Sequence, residues 1–233
     1  MGTALLVEYY EELPEAQGND TKAWEGRVRI ALEKFKRKVA ARYNEGTLQR
    51  LLASSDVRGR RAALLALGLM GTMRASNEAV ACMLHDEDRG VRQFAADALW
   101  SLWFRAEIPA SNAELQRLMN TRDRRKKREA LDNLIAKCPN FSEAYNQRAI
   151  LHFQTEEWQK SIADCERVLK LNPYHFGAAA GMARCYMELG KHRAALKAFR
   201  HAYRINPSME GIEEAIKALE NALGEEGKRD DKK

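Results

Sequence analysis

Two runs of basic residues are the sharpest chemical feature of this chain. TRDRRKKRE carries Arg122, Arg124, Arg125, Lys126, Lys127 and Arg128, and KFKRK carries Lys34, Lys36, Arg37 and Lys38. Such side chains hold phosphate oxygens or carboxylates. At about 3.6 residues per turn the charges of the first run surround a helix start and do not line one face. Two readings stand for each run. The plainer is a solvated helix end; the other is a seat for a nucleic-acid backbone or an acidic peptide.

Residues that would do covalent or metal chemistry are present but do not cluster. His85, His152, His175, His192 and His201 form no HExxH and no His/Cys group. No phosphate-cradling glycine loop follows a strand, and the GxxxG of Gly177 and Gly181 reads as close helix packing. Cys82, Cys138, Cys165 and Cys185 include no CxxC and lie within helical patterns, so they read as small buried residues in a reducing compartment. A Cys165–Cys185 redox pair is the alternative. Glu156 and Glu157 fall in a turn and are expected to be solvated. Trp100 and Phe104 share a helix face and belong in a core, whereas Trp103 is offset and is free to be core or a surface anchor for a partner. No catalytic residue, metal or cofactor is assigned, and the expectation is a protein that is not an enzyme.

The elements that position these residues must be helices. The chain has 233 residues, 45% hydrophobic and 31% charged, enough to bury a core. Its 14 glycines and 5 prolines are few for a loop-rich β fold. A net charge of +6 is mildly basic and by itself implies no nucleic-acid partner. The opening residues lack the basic region of a secretory signal, and the nearly apolar stretch from Ala62 to Met73 is too short to span a membrane. A cytoplasmic protein is expected.

Charge is unevenly spread. Residues 1–20 hold Glu8, Glu11, Glu12, Glu15 and Asp20 with no Lys or Arg, and residues 21–60 hold eleven Lys or Arg against four acids. Residues 1–22 are expected to be an acidic, disordered start that folds back onto the basic segment. Residues 224–233 are expected to be a disordered charged tail.

Pro139, Pro173 and Pro207 are 34 residues apart, and the residues between them repeat: Ala149 with Ala183, Ile162 with Leu196, Asn172 with Asn206. The second unit places Ala183, Tyr186, Gly190, Ala195, Phe199, Ala202 and Pro207; the first places Tyr145, Ala149, Trp158, Ser161 and Val168, with Glu156 where its neighbour has Gly190. Small residues at the helix contact allow close approach, and each proline ends a hairpin. This pattern resembles the tetratricopeptide repeat. Ile212, Ile216 and Leu219 form a stripe suited to a C-terminal cap helix.

Upstream, SSDVRGRRAALLALGLMG and DEDRGVRQFAADALWSLW align at an offset of 32, pairing Asp56 with Asp88, Arg60 with Arg92 and Leu67 with Leu99. That pattern resembles a HEAT-like repeat, with first helices at Thr47–Ala53 and Asn77–Leu84 and a third pair at Asn112–Met119 and Arg124–Lys137. Trp24, Val28, Leu32, Phe35 and Val39 share one face of a preceding cap helix. The fold class is all-α, a right-handed α-solenoid of antiparallel helix pairs. HEAT-like repeats occupy 23–120 and tetratricopeptide repeats 121–223.

The tetratricopeptide resemblance implies a protein-interaction scaffold or adaptor holding a peptide or helix in a concave groove lined by the first helices. By register the groove would take Asn146, Ile150, Phe153 and Gln154 from one repeat and Ala180, Arg184, Met187 and Glu188 from the next. Glu143 and Gly177 at early groove positions argue against a clamp for chaperone carboxylates. A nucleic-acid-associated HEAT-like protein using the basic runs is the alternative, and the oligomeric state is open.

Overall fold

The computed structural model describes residues 2–14 and 21–224, and among them every regular element is a helix. The chain divides into two compact units, Met1–Leu102 and Trp103–Lys233.

The first unit contains α1 (Gly2–Glu11), α2 (Thr21–Ala40), α3 (Glu45–Leu51), α4 (Val57–Met70), α5 (Met73–Cys82), a 3-10 turn (Met83–His85) and the start of α6 (Arg89–Phe104). The repeated Asp and Arg have a matched purpose. Asp56 caps α4 by accepting from the Arg58 amide at 2.9 Å, and Asp88 accepts from the Val91 amide at 2.8 Å at the start of α6. Arg60 donates back to the carbonyls of Ser54 and Ser55, and Arg92 donates to those of Asp86 and Glu87, each set 32 residues on. Each arginine thus satisfies the carbonyls of the loop that launches its own helix. Arg60 also pairs with Asp86 at 2.8 Å and Arg61 with Asp88 at 2.8 Å, tying one hairpin to the next. The helices preceding α4 and α6 start earlier than the sequence pattern placed them. Asn44 caps α3 through the Thr47 amide at 2.8 Å, and Thr72 caps α5 through the Ala75 amide at 3.3 Å.

The disordered start expected for residues 1–22 is corrected over residues 2–14. α1 is a helix with Leu6 and Val7 buried, so apolar packing orders it despite its acids. It does turn back onto the basic segment: Glu12 pairs with Lys34 at 2.9 Å and with Lys38, and Glu11 pairs with Arg58 at 2.7 Å. The expected tail lies outside the described residues but for its first.

The second unit contains α7 (Pro109–Met119), α8 (Arg124–Lys137), α9 (Ser142–Gln154), α10 (Trp158–Leu171), α11 (Phe176–Glu188), α12 (His192–Ile205) and α13 (Ile212–Leu223). Each repeat proline follows a helix by two residues. The intervening Cys138, Asn172 and Asn206 have φ of −128, −142 and −138°, the extended backbone that a following proline enforces. The small residues at the hairpin contacts, Ala149 with Ser161 and Ala183 with Ala195, are buried, and the Ser161 hydroxyl donates to the Ala149 carbonyl at 2.8 Å. Ile212, Ile216 and Leu219 of α13 are buried against the α11–α12 core, as the cap stripe required. Trp103 is no surface anchor. It is fully buried and stacks on His175 with ring centroids 4.1 Å apart. No helix among the described residues is long and apolar enough to cross a membrane.

Candidate functional site

The first helices of the two hairpins related by the 34-residue period, α9 and α11, pack beside one another. Residues 146, 150, 153 and 154 recur 34 positions later as 180, 184, 187 and 188. Spacings of three and four put each set on one helix face. Ile150 is 42% exposed and Met187 37%, high for large apolar side chains. Phe153 is half-buried and meets Trp158 edge-on at 4.9 Å, which holds its ring at the helix edge. Gln154, Arg184 and Glu188 are exposed. These six are the accessible members of the two sets: three apolar side chains, one cation, one anion and one amide.

Two expected groove residues point elsewhere. Ala180 is 4% exposed and serves the core. Asn146 is also buried, and its amide donates to Glu143 at 3.0 Å, so it has no free edge for a partner's backbone. The reason is a buried carboxylate. Glu143 is inaccessible, and its Oε1 accepts from Asn146 and, at 2.6 Å, from Gln147. Its Oε2 lies 3.0 Å from His175 Nε2. His175 Nδ1 accepts from the Ala178 amide, so the ring proton is on Nε2 and donates to Glu143. Nothing in the groove reading foresaw a carboxylate that recruits its own helix's amides.

The 34-residue offset also reaches back to α7. α7 precedes α9 in the same register: Met119 lies 34 residues before Phe153, and Gln116 lies 34 before Ile150. Both are exposed, Met119 by 39%. The signal was the same offset, but Arg105 stands where the proline series would begin.

The basic runs fall in different units. In the first, Lys34 and Lys38 are held by Glu12, whose carboxyl the Lys38 ammonium keeps below its usual value, while Lys36 is half-buried and Arg37 exposed. In the second, Arg122, Arg124, Arg125 and Lys126 are exposed around the start of α8. Asp123 caps that start, accepting from the amides of Arg125 and Lys126, and the Lys126 amide holds its carboxyl below the ordinary range. Arg125 lies 3.7 Å from Glu129. Partial burial lowers the Lys127 ammonium. Arg128 turns inward to Glu157 and to the Thr155 hydroxyl at 3.1 Å. Glu157 is therefore not the solvated turn residue expected; the Arg128 guanidinium holds its carboxyl far below the usual range.

The cysteines are all free thiols. Cys165 and Cys185 are buried, and burial pushes the Cys165 thiol up to about 12, which disfavours the thiolate that redox chemistry requires. Cys82 is exposed and Cys138 half-buried, against the expectation of uniform burial.

Comparison with known proteins adds three findings. The family of HEAT repeats matches residues 44–135, and tetratricopeptide-repeat families match residues 142–175 and 178–209. A TPR repeat-containing protein of Rhizobium etli is 37% identical over 93 residues, covering 40% of this chain and 46% of that protein. Anaphase-promoting complex subunit 3 of Schizosaccharomyces pombe is 28% identical over 80 residues, 34% of this chain and 12% of that one. The chain thus spans less than half the length of either relative. Among solved structures, MamA MSR-1 C2 aligns with a TM-score of 0.43 at 14% identity, covering 65% of this chain and 88% of that one. Tetratricopeptide repeats generally mediate protein–protein interactions.

Proposed function

For a chain that carries HEAT repeats over residues 44–135 and tetratricopeptide repeats over 142–175 and 178–209, we propose a non-enzymatic adaptor that holds a segment of another protein on the face shared by α9 and α11. The observation that carries this is the exposure of Ile150 and Met187 on equivalent faces of adjacent first helices. Large apolar side chains left in water across neighbouring repeats gain by being covered. Arg184 and Glu188 supply charge at the border, which selects partners more than it strengthens binding.

The partner segment carries apolar side chains for Ile150, Phe153 and Met187, and an acid within reach of Arg184. The nucleic-acid alternative gains no support, because Lys34, Lys38 and Arg128 already spend their charge on carboxylates of this chain.

Affinity capture tests the proposal. Wild-type protein should retain specific proteins that a Phe153→Ala, Arg184→Ala variant loses, both with the same thermal midpoint. Retention of every partner by the variant would refute the groove.

A further inference from the structure

A second concave surface lies in the first unit and does not depend on the groove of α9 and α11. A cavity of about 630 Å³ opens between α1, α2, α4 and α6, walled by Tyr10, Leu13, Trp24, Val28, Leu65 and Phe94. A recess of about 130 Å³ shares Leu65 and Phe94 with it and continues to Asp97 and Ser101. The larger volume is in the range of sites that enclose a ligand group.

Three features select the occupant. The walls are apolar, so they accept a bulky apolar side chain. The indole N–H of Trp24, one of the walls, is buried and has no hydrogen-bond acceptor among the described residues. A donor shut away from water in this manner is matched by a carbonyl oxygen. The charged lining is acidic: Glu11 stands at the larger cavity and Asp97 at the recess, and among the described residues no Lys or Arg lines either. Glu11 is shared with Arg58 at 2.7 Å, but Asp97 accepts from the neutral Gln93 amide at 3.2 Å. Glu11 is thus already answered by Arg58, which leaves Asp97 as the acid that the trough offers to a partner.

We propose that this trough is a docking site for a segment of another polypeptide in which a bulky apolar residue sits beside a Lys or Arg. The apolar side chain fills the space between Leu65 and Phe94, a main-chain carbonyl takes the Trp24 N–H, and the cation faces Asp97. Residues 15–20, EAQGND, do not have this chemistry; they carry two acids and no bulky apolar side chain.

The test is nitrogen-15 NMR of the indole groups of the full chain, with the Trp24 signal assigned by Trp24→Phe. The probe is acetyl-Gly-Lys-Leu-Phe-Lys-Gly-amide. The expected result is a saturable shift of the Trp24 signal with Trp158 unmoved. Affinity should fall by at least about tenfold for the peptide with Glu in place of Lys, and again for the intact peptide on Asp97→Lys, a substitution at an exposed position. No Trp24 shift at millimolar peptide would overturn the proposal. So would equal binding of the Lys and Glu peptides, or a shift of Trp158 in place of Trp24. A Trp24 shift with protein concentration alone would make the occupant a second copy, and a shift with the neutral dye N-phenylnaphthylamine but not the peptide would make it a small molecule; either contradicts the assignment.

Discussion

The hairpin α9–α10 and its successor α11–α12 share a backbone plan but not an interior. In the first, Arg148, His152 and Asp164 occupy positions that Met182, Tyr186 and Ala198 fill 34 residues later. Arg148 forks onto Asp164 with bonds of 2.8 and 2.7 Å and reaches Asp132 at 2.7 Å. His152 is buried beside them, 3.6 Å from Glu157 and 3.8 Å from Asp164. The second hairpin instead packs Ala179, Ala183, Leu196 and Phe199 into an apolar cluster with α13. The difference teaches that the prolines and the small contact residues set the hairpin geometry. The interior chemistry is then free to vary, provided that each buried charge finds a partner.

Breaking the ionic pair should give the largest effect. Asp164→Ala leaves Arg148 with Asp132 alone, and we expect a loss of about 2–3 kcal/mol in a denaturant titration, below the full cost of a buried pair because Arg148 keeps some solvent. Arg148→Met with Asp164→Ala copies the second hairpin and should recover most of that loss. If the double variant is no better than the single, the interiors are not interchangeable.

The turns supply a smaller contrast. Gly190 has φ +67°, and Glu156 at the same position of the first hairpin has φ +59°, a conformation that side chains with a Cβ disfavour. Gly190→Ala should cost about 1 kcal/mol, and Glu156→Gly should stabilise by about 0.5–1 kcal/mol, both read as shifts in the unfolding midpoint. Equal signs would contradict the equivalence of the two turns.

How much of this was legible in the sequence follows from range. The proline period, the Asp–Arg repeat and the cap stripe are local patterns, and α8 runs from Arg124 to Lys137 as its periodicity required. The helix at α1 was missed because its acids outweighed a short apolar set, Leu6 and Val7, whose burial depends on other helices. Glu143 and His175 meet across 32 residues, and Trp103 stacks on His175 from further still. No periodic signal encodes such pairs. Burial of Asn146 followed from that carboxylate, so the groove assignment lost a residue for a reason outside the repeat pattern.

Acid should separate the hairpins more gently. Burial lowers the His152 imidazole in the folded protein below its ordinary 6.5. The neutral form is therefore favoured by folding, and the stability it contributes is complete above about pH 6.5 and fades as pH falls through the lowered value. Glu157, also held low, contributes stability above its ordinary 4.5 that fades below it. His152→Tyr, which copies Tyr186, should flatten the stability profile as pH falls below about 6.5, with Arg128, Arg148, Asp164 and Glu157 still in place around the ring. An unchanged slope would show that His152 does not titrate with folding.

The interaction face itself is tested most directly by photo-crosslinking in cells. A benzoylphenylalanine at position 150 or 187 should capture the same protein, and one at the exposed Glu166 of α10 should not. Capture from position 166 as strong as from 150 and 187, or none from the latter two, would contradict the assignment of the α9–α11 face as the holding surface.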